Sequence, residues 1–284
     1  MKSINTLVKD IYEVVAQEGW FNPARLADFS AALSVSLNQT RGVPSLRLSK
    51  LGEHCPSQLW HSVHSVGMEE PVEPWARIKF TYGYITEALV LELAKAAGHT
   101  VTGEQDELIL DGVKGHRDCV IDGCIVDVKS INSLGFQKVK SGLVATDIFL
   151  RDYLDQLDGY VVASHEDPLV QVKDRGYILF IDKVLGHLKL YEHRVRPESI
   201  RNRIQQYQRI VGLRSPPRCT CGTGPDGKSG NIKLDVKASY NPYKYCCNPT
   251  VRKFLYAGGP IYLTKVVRLP DVTEVDRLGN IVVH

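Results

Sequence analysis

Apolar residues recur at helical spacing near the start of the chain, at Ile4, Leu7, Ile11 and Val14, and predict an opening helix. A second helix is predicted from Pro23 to about Ser36, because Asn22 supplies a capping side chain and proline fits the first helical position. From Arg41 to Pro74 the chain mixes Gly, Pro, Ser and His without a firm period and reads as irregular or short-helical cover. A longer helix is predicted from about Pro74 to Ala97, with Ile85, Leu89, Leu91 and Leu93 apolar and Gly98 as its stop.

The period then shortens. Strands are predicted at Glu107 to Leu110, Gly115 to Ile121 and Cys124 to Lys129, separated by the turn dipeptides Asp111-Gly112 and Asp122-Gly123. Leu150, Tyr153, Leu154 and Leu157 predict a helix from Ile148 to about Ser164, followed by strands at Tyr177 to Ile181 and His187 to Tyr191. After Pro197, Ile200, Ile204, Tyr207 and Val211 repeat at helical spacing. Residues 212–260 form a Gly, Pro and Cys-rich stretch that reads as irregular, and a β-prone run follows from Ile261 to Val267. The alternation of helices and strands predicts an α/β fold with a mixed central sheet flanked by helices. Of the 284 residues, 43% are hydrophobic and 24% charged, which excludes the disordered and fibrous classes.

The strands around Asp122-Gly123 place chemistry. With a two-residue turn, Ile121 pairs with Cys124, and counting outward sets Asp118 opposite Asp127. Side chains alternate between faces, so His116, Asp118, Val120, Ile125, Asp127 and Lys129 share one face, over a wholly apolar face of Cys119, Ile121, Cys124, Val126 and Val128. Directly opposed side chains have Cβ atoms roughly 5 Å apart, where like charges repel. A divalent cation such as Mg²⁺ or Mn²⁺, which takes hard oxygen ligands, would compensate. A solvated surface hairpin with Lys129 as counter-ion would do so too.

Asp118, Asp127 and Lys129, within Gly115-His116-Arg117-Asp118 and Asp127-Val128-Lys129-Ser130, resemble the core of the PD-(D/E)XK nucleases. Glu87, in Gly83-Tyr84-Ile85-Thr86-Glu87, resembles the helical acid of that superfamily, and Gln156-Leu157-Asp158-Gly159-Tyr160 resembles the QxxxY signature of its RecB-type exonuclease branch, which extends to phage exonucleases related to the CRISPR-adaptation nucleases. The resemblance implies a metal-dependent DNA exonuclease. In it Asp118, Asp127 and the Val128 carbonyl ligate Mg²⁺ or Mn²⁺, Glu87 or His116 completes the shell, Lys129 holds the attacking water, and Gln156 and Tyr160 grip the DNA. At 284 residues the chain is expected to form a single nuclease domain over 1–284, with helical cover at 1–74, a catalytic core at 75–192, and a basic helix with a cysteine-containing segment at 193–284. A structure-specific endonuclease and a catalytically silent DNA-binding module on the same fold are the rival readings.

Charge and cysteines extend this picture. The net charge is only +3, but seven arginines lie between Arg194 and Arg218 against one acid, Glu198. Arg194, Arg196, Arg201 and Arg203 are the candidate DNA contacts, while a solvated helix face would have the same composition. The chain starts without a secretory leader and has no apolar run long enough to span a bilayer, so a cytoplasmic protein is expected, in the host cytoplasm if phage-encoded. A phage recombination protein or single-strand-binding protein is the partner class the resemblance implies, besides DNA. Cys119 and Cys124 fall on the apolar face. Related nucleases often close an iron–sulfur cluster with one cysteine before the core and three after it. Here Ala238 and Asn241 stand where two of those cysteines belong, which leaves Cys55, Cys219, Cys221 and Cys246 as candidates for a four-sulfur iron or zinc site.

Overall fold

The computed structural model describes residues 2–38 and 44–283, so the first residues of the stretch from Arg41 to Pro74 lie outside the described residues. The chain opens with helices α1 (Leu7–Val15), α2 (Pro23–Leu37), α3 (Pro56–His64) and α4 (Pro74–Ala96). Strands β1 (Val101–Thr102), β2 (Glu107–Leu110), β3 (Val113–His116), β4 (Cys119–Ile121) and β5 (Cys124–Ile131) follow, then α5 (Ser133–Lys140), α6 (Arg151–Ala163), β6 (Arg175–Asp182), β7 (Leu188–Arg194) and α7 (Pro197–Val211). The remainder comprises β8 (Thr223–Pro225), β9 (Ile232–Leu234), α8 (Val236–Ser239), α9 (Lys244–Cys247), β10 (Arg252–Tyr256), β11 (Gly259–Lys265) and β12 (Glu274–Val275).

These elements fall into two compact units, one of residues 1–42, 47–52 and 74–204, the other of residues 43–46, 53–73 and 205–284. The first is built on a mixed five-stranded sheet in the order β1-β4-β5-β6-β7, antiparallel except where β5 runs parallel to β6. A parallel neighbour requires a crossover, and α5 and α6 lie within it. The expected mixed sheet flanked by helices is therefore present.

Each sheet face is buried by a helix whose apolar stripe was legible. Cys119, Ile121, Cys124, Val126 and Val128 pack with Tyr177 and Leu179 against Leu7 and Ile11 of α1 and Val90, Leu91 and Ala94 of α4. On the other side α6 lies so close to β6 that a Cβ on Gly176 would come within 2.7 Å of Val161 Cγ2 and 2.8 Å of Leu157 Cδ1. Glycine there sets the helix-to-sheet distance. Coverage of both faces explains why β5 is buried from Cys124 to Val128 rather than alternating.

The Asp122-Gly123 turn forms as the sequence predicts. Both residues have positive φ, +49° and +76°, and the register runs Ile121 to Cys124, Val120 to Ile125 and Cys119 to Val126. The expected strand from Gly115 to Ile121 does not form as one piece. Its first half, β3, pairs with β2 in a separate two-stranded ribbon, and the chain leaves that ribbon at Arg117-Asp118 to enter the main sheet as β4. The break lies at the residues that carry the chemistry.

The second unit has a five-stranded antiparallel sheet, β12-β10-β11-β9-β8, where the sequence between 212 and 260 reads as irregular. Four of its strands are only two to five residues long, too short for an alternating pattern to stand out against their Gly and Pro content. One of its buried apolar clusters comprises Leu234, Ala238, Val251 and Tyr262, with Cys221 and Tyr245 packed against it, and Leu59, Phe254 and Leu263 are buried as well. No helix among the described residues is long and apolar enough to cross a membrane.

Candidate functional site

β4 ends one residue short of Asp118, so continuing its register places Asp118 beside Asp127 on β5. Asp127 is fully buried, and the pKa of its carboxyl is raised by that burial and by the neighbouring Asp118. Asp118 Oδ2 also accepts from the backbone N–H of Val128, at 2.7 Å, which fixes its carboxylate against the strand. Lys129 Nζ lies 2.9 Å from Asp127 Oδ1 and 2.8 Å from Oδ2. It also stands 5.4 Å from the centre of the Tyr153 ring, a cation–π distance. Of the two oxygens only Oδ1 has well-directed donors, and Oδ2 is a buried acceptor without a hydrogen bond.

Two residues on α6 complete that wall. Gln156 Nε2 donates to Asp127 Oδ1 at 3.3 Å and to the Tyr160 hydroxyl oxygen at 2.8 Å, as their four-residue spacing on one helix face allows. Tyr160 is buried, and burial together with the Asp127 and Asp118 carboxylates pushes its hydroxyl well above the usual tyrosine range.

Electrostatically the site is short of positive charge. Burial, and then the neighbouring Asp118, push the Glu87 carboxyl of α4 up to about 8. Asp127 is pushed up to about 7, burial and Asp118 raising it against the opposing pull of Lys129. For Lys129 itself burial disfavours the charge, but Asp127 and Asp118 outweigh it and hold the ammonium protonated. One lysine thus faces three acids in a desolvated site.

Two residues that the sequence reading left without a role hold these parts in place. Gln105, at a φ of +58°, donates its side-chain amide to Glu87 Oε1 at 2.7 Å and its backbone N–H to the Asp118 carbonyl at 3.1 Å. Arg117, only 1% exposed, spans the same loop: it donates to the Gly103 carbonyl at 3.1 Å, to Asp106 at 2.5 Å and to Asp167 at 2.6 Å. Gly103 must be glycine beneath it, since its φ is +59° and a Cβ would stand 2.4 Å from Arg117 Nη2. Gly103 was the only visible signal of this arrangement. Nothing in the spacing marks Gln105, whose importance comes from loop geometry.

Other candidates are placed differently. His116 is on the β2–β3 ribbon, exposed and opposite Glu107, and so is not on the sheet face that carries Asp127 and Lys129; the strand break at Arg117-Asp118 removes the alternation that had grouped them. Arg203 is ion-paired with Asp155 and donates to the Leu51 carbonyl at 2.9 Å, Arg201 pairs with Asp111 at 2.8 Å, and Arg196 lies 3.5 Å from Asp158. Arg194 extends into solvent, 4.0 Å from Asp174.

The cysteines converge in the second unit with one change of membership. Cys55, Cys219, Cys221 and Cys247 have all four Sγ atoms within 4.8 Å of one another, the one such set of three or more thiol, imidazole or carboxylate ligands among the described residues. Cys247 takes the place expected for its neighbour, because α9 turns Cys247 inward while Cys246 Sγ lies against the Met68 carbonyl at 3.9 Å. Hydrogen bonds from Cys221 and Cys247 draw the Cys55 thiol well below its usual range. This cluster can bind a metal ion.

No protein-family model matches the chain, and no curated protein matches it. Among solved structures it is similar in chain path to SSO0001, at 14% identity and a TM-score of 0.39 over 67% of this chain and 87% of that one. It is also similar to an alkaline exonuclease, LHK-Exo, from Laribacter hongkongensis, at 12% identity and a TM-score of 0.37 over 66% of this chain and 90% of that one. The same exonuclease in complex with dAMP gives 11% identity and a TM-score of 0.31, over 72% and 86%. At such values these likenesses carry no argument about the chemistry of this chain.

Proposed function

We propose that this chain is a Mg²⁺- or Mn²⁺-dependent deoxyribonuclease acting on linear DNA, with exonucleolytic cleavage favoured by the Gln156-to-Tyr160 resemblance. The observation that carries the reading is the fully buried Asp127 beside Asp118, carboxylates brought together in a desolvated site with Lys129 as their neighbouring ammonium. Several carboxyls around one ammonium in a dry site repel one another unless a further cation joins them, and paired carboxylate oxygens are the donor chemistry of Mg²⁺ and Mn²⁺. Asp118, Asp127 and the Val128 carbonyl are the proposed ligands, with Glu87 beside them.

When bound, the ion would lower the pKa of a coordinated water and neutralise charge on the phosphate. Lys129 would keep its proton and direct the ammonium toward the charge that develops on the phosphate oxygens, a form of preorganised electrostatic stabilisation. Glu87, which burial and Asp118 push up to about 8, would give up its proton when the cation binds and complete the shell. Gln156 would orient Asp127, and Tyr160 would hold Gln156. The rival solvated-hairpin reading requires exposed acids, whereas Asp127 is fully buried.

The test is digestion of end-labelled linear single- and double-stranded DNA and of covalently closed circles, with and without Mg²⁺ or Mn²⁺. Release of nucleotides from ends, abolished by Asp127→Ala and by Lys129→Ala with DNA binding retained, supports the reading. Cutting of closed circles would make the enzyme an endonuclease. Full cleavage by Lys129→Ala would refute the assignment.

A further inference from the structure

The four-cysteine cluster has a size, and size separates the metal groups that four thiolates can hold. A single tetrahedral ion with metal–sulfur bonds of about 2.3 Å sets its ligand sulfurs roughly 3.8 Å apart. In a four-iron cluster each cysteine sulfur lies outside its own iron corner, so the cysteine sulfurs stand roughly 6 Å apart. Here Cys55 Sγ and Cys219 Sγ are 3.8 Å apart and all four sulfurs lie within 4.8 Å. The iron–sulfur cluster implied by resemblance does not fit.

We infer that Cys55, Cys219, Cys221 and Cys247 hold one zinc ion in a closed four-thiolate site. Its surroundings are built for thiolates. The Cys221 backbone N–H lies 3.3 Å from Cys219 Sγ, and Asn241 Nδ2 lies 3.5 Å from Cys221 Sγ and 3.3 Å from Cys247 Sγ. Donors of this kind offset the excess negative charge of four thiolates on one divalent ion. Asn241 is 2% exposed and anchored by its own Oδ1, which accepts from the Tyr243 N–H at 2.8 Å. It stands where the family pattern has a cysteine, so at this position a ligand of a larger cluster is replaced by a donor to the sulfurs of a smaller one. The Ser57 hydroxyl, 3.5 Å from Cys247 Sγ, lies in the same shell.

With all four positions taken by protein, the site has no opening for water or substrate, which makes it structural. It ties the residue before α3 to the 219–221 loop and to α9, in a unit four of whose strands are only two to five residues long. A metal held by ligands from three segments distant in sequence couples its binding to the folding of the unit.

The experiment uses the full chain, expressed with both iron and zinc supplied and purified anaerobically, with metal and acid-labile sulfide measured together. One zinc per chain without sulfide, with X-ray absorption showing four sulfurs at about 2.3 Å, is the expected result. About four irons with sulfide would overturn the single-ion geometry; one iron without sulfide would overturn zinc; absence of metal would overturn the site. Cys246→Ser should keep the full zinc content, and loss of zinc in that variant with retention in Cys247→Ser would overturn the ligand set. None of these readouts depends on whether the chain cleaves DNA.

Discussion

Replacing Arg117 by methionine tests whether one buried cation assembles the carboxylate site. The guanidinium is 1% exposed and bonds two carboxylates, one carbonyl and, at 3.4 Å, the Ser164 hydroxyl. Hydrogen bonds to charged groups contribute about 1.5–3 kcal/mol each, but the Asp106 side chain is 47% exposed, so its pair is discounted for solvent screening. Asp167, at 22%, is only partly rehydrated once its partner is gone. Methionine fills much of the volume but leaves the Gly103 carbonyl without its donor, and breaking such a buried pair costs about 3–5 kcal/mol. With a urea m-value of about 2–3 kcal/mol/M, the unfolding midpoint should fall by about 1–2 M. Trp20, packed on the core of the same unit, reports the transition in a background where Trp60 and Trp75 are phenylalanine. Arg117→Lys keeps the charge but not the fork and should fall between wild type and methionine. Cleavage at a temperature where the methionine variant is still folded should also drop, because the 103–106 loop that Arg117 holds carries Gln105 onto Glu87. A midpoint shift worth less than about 1 kcal/mol, with normal cleavage, would refute both parts of this reasoning.

Three further outcomes follow from the same geometry. Glu87 and Asp127 have folded-state values above their unfolded ones, so the stability they contribute is full below about pH 4 and is lost as pH rises through about 7 to 8; without added Mg²⁺ or Mn²⁺, thermal midpoints of wild type and Asp127→Asn should diverge across that window by about 1.4 kcal/mol per pH unit, and parallel curves would contradict it. Gln105→Ala removes a bond that favours ionised Glu87, so the acid limb of the cleavage profile should move to higher pH, and a shift to lower pH would disprove the assigned direction. His99, fully buried as a side chain, lies 2.6 Å from Asp122 of the hairpin turn and 3.2 Å from Asp10 of α1; His99→Phe should cost about 3 kcal/mol in chemical denaturation, and an unchanged midpoint would mean that the two aspartates are satisfied without it.

The part of the site that sequence pattern reveals is the part built by strict periodicity. A two-residue turn fixes register, register fixes which side chains oppose, and Asp118, Asp127 and Lys129 could be placed by counting. Helical spacing likewise put Gln156 and Tyr160 on one face. His116 was misplaced because counting assumes an unbroken strand, and the chain changes sheets at Arg117-Asp118 for a reason outside the strand: a guanidinium binding two loop carboxylates that are 11 and 50 residues away in sequence. Gln105 is silent for the same reason, since its role depends on a left-handed backbone in a loop. The basic run from Arg194 shows the limit of composition. It reads as a phosphate-tracking surface, yet Arg201 is paired with Asp111 and Arg203 with Asp155, which at 8% exposure on α6 needs a cation.

The cysteines follow one rule with two results. Adjacent residues on a short helix point in different directions, so Cys246 and Cys247 cannot both reach one ion, and the choice depends on how α9 is rotated rather than on spacing. Once Cys247 is the one turned inward, the four sulfurs close to the separation of a single tetrahedral ion, and Asn241 occupies the space between two of them as a donor. At the carboxylate site Lys129 supplies part of the missing charge. If both proposed sites hold ions, thiolates in one unit and carboxylates in the other should partition zinc and magnesium by ligand chemistry without competing.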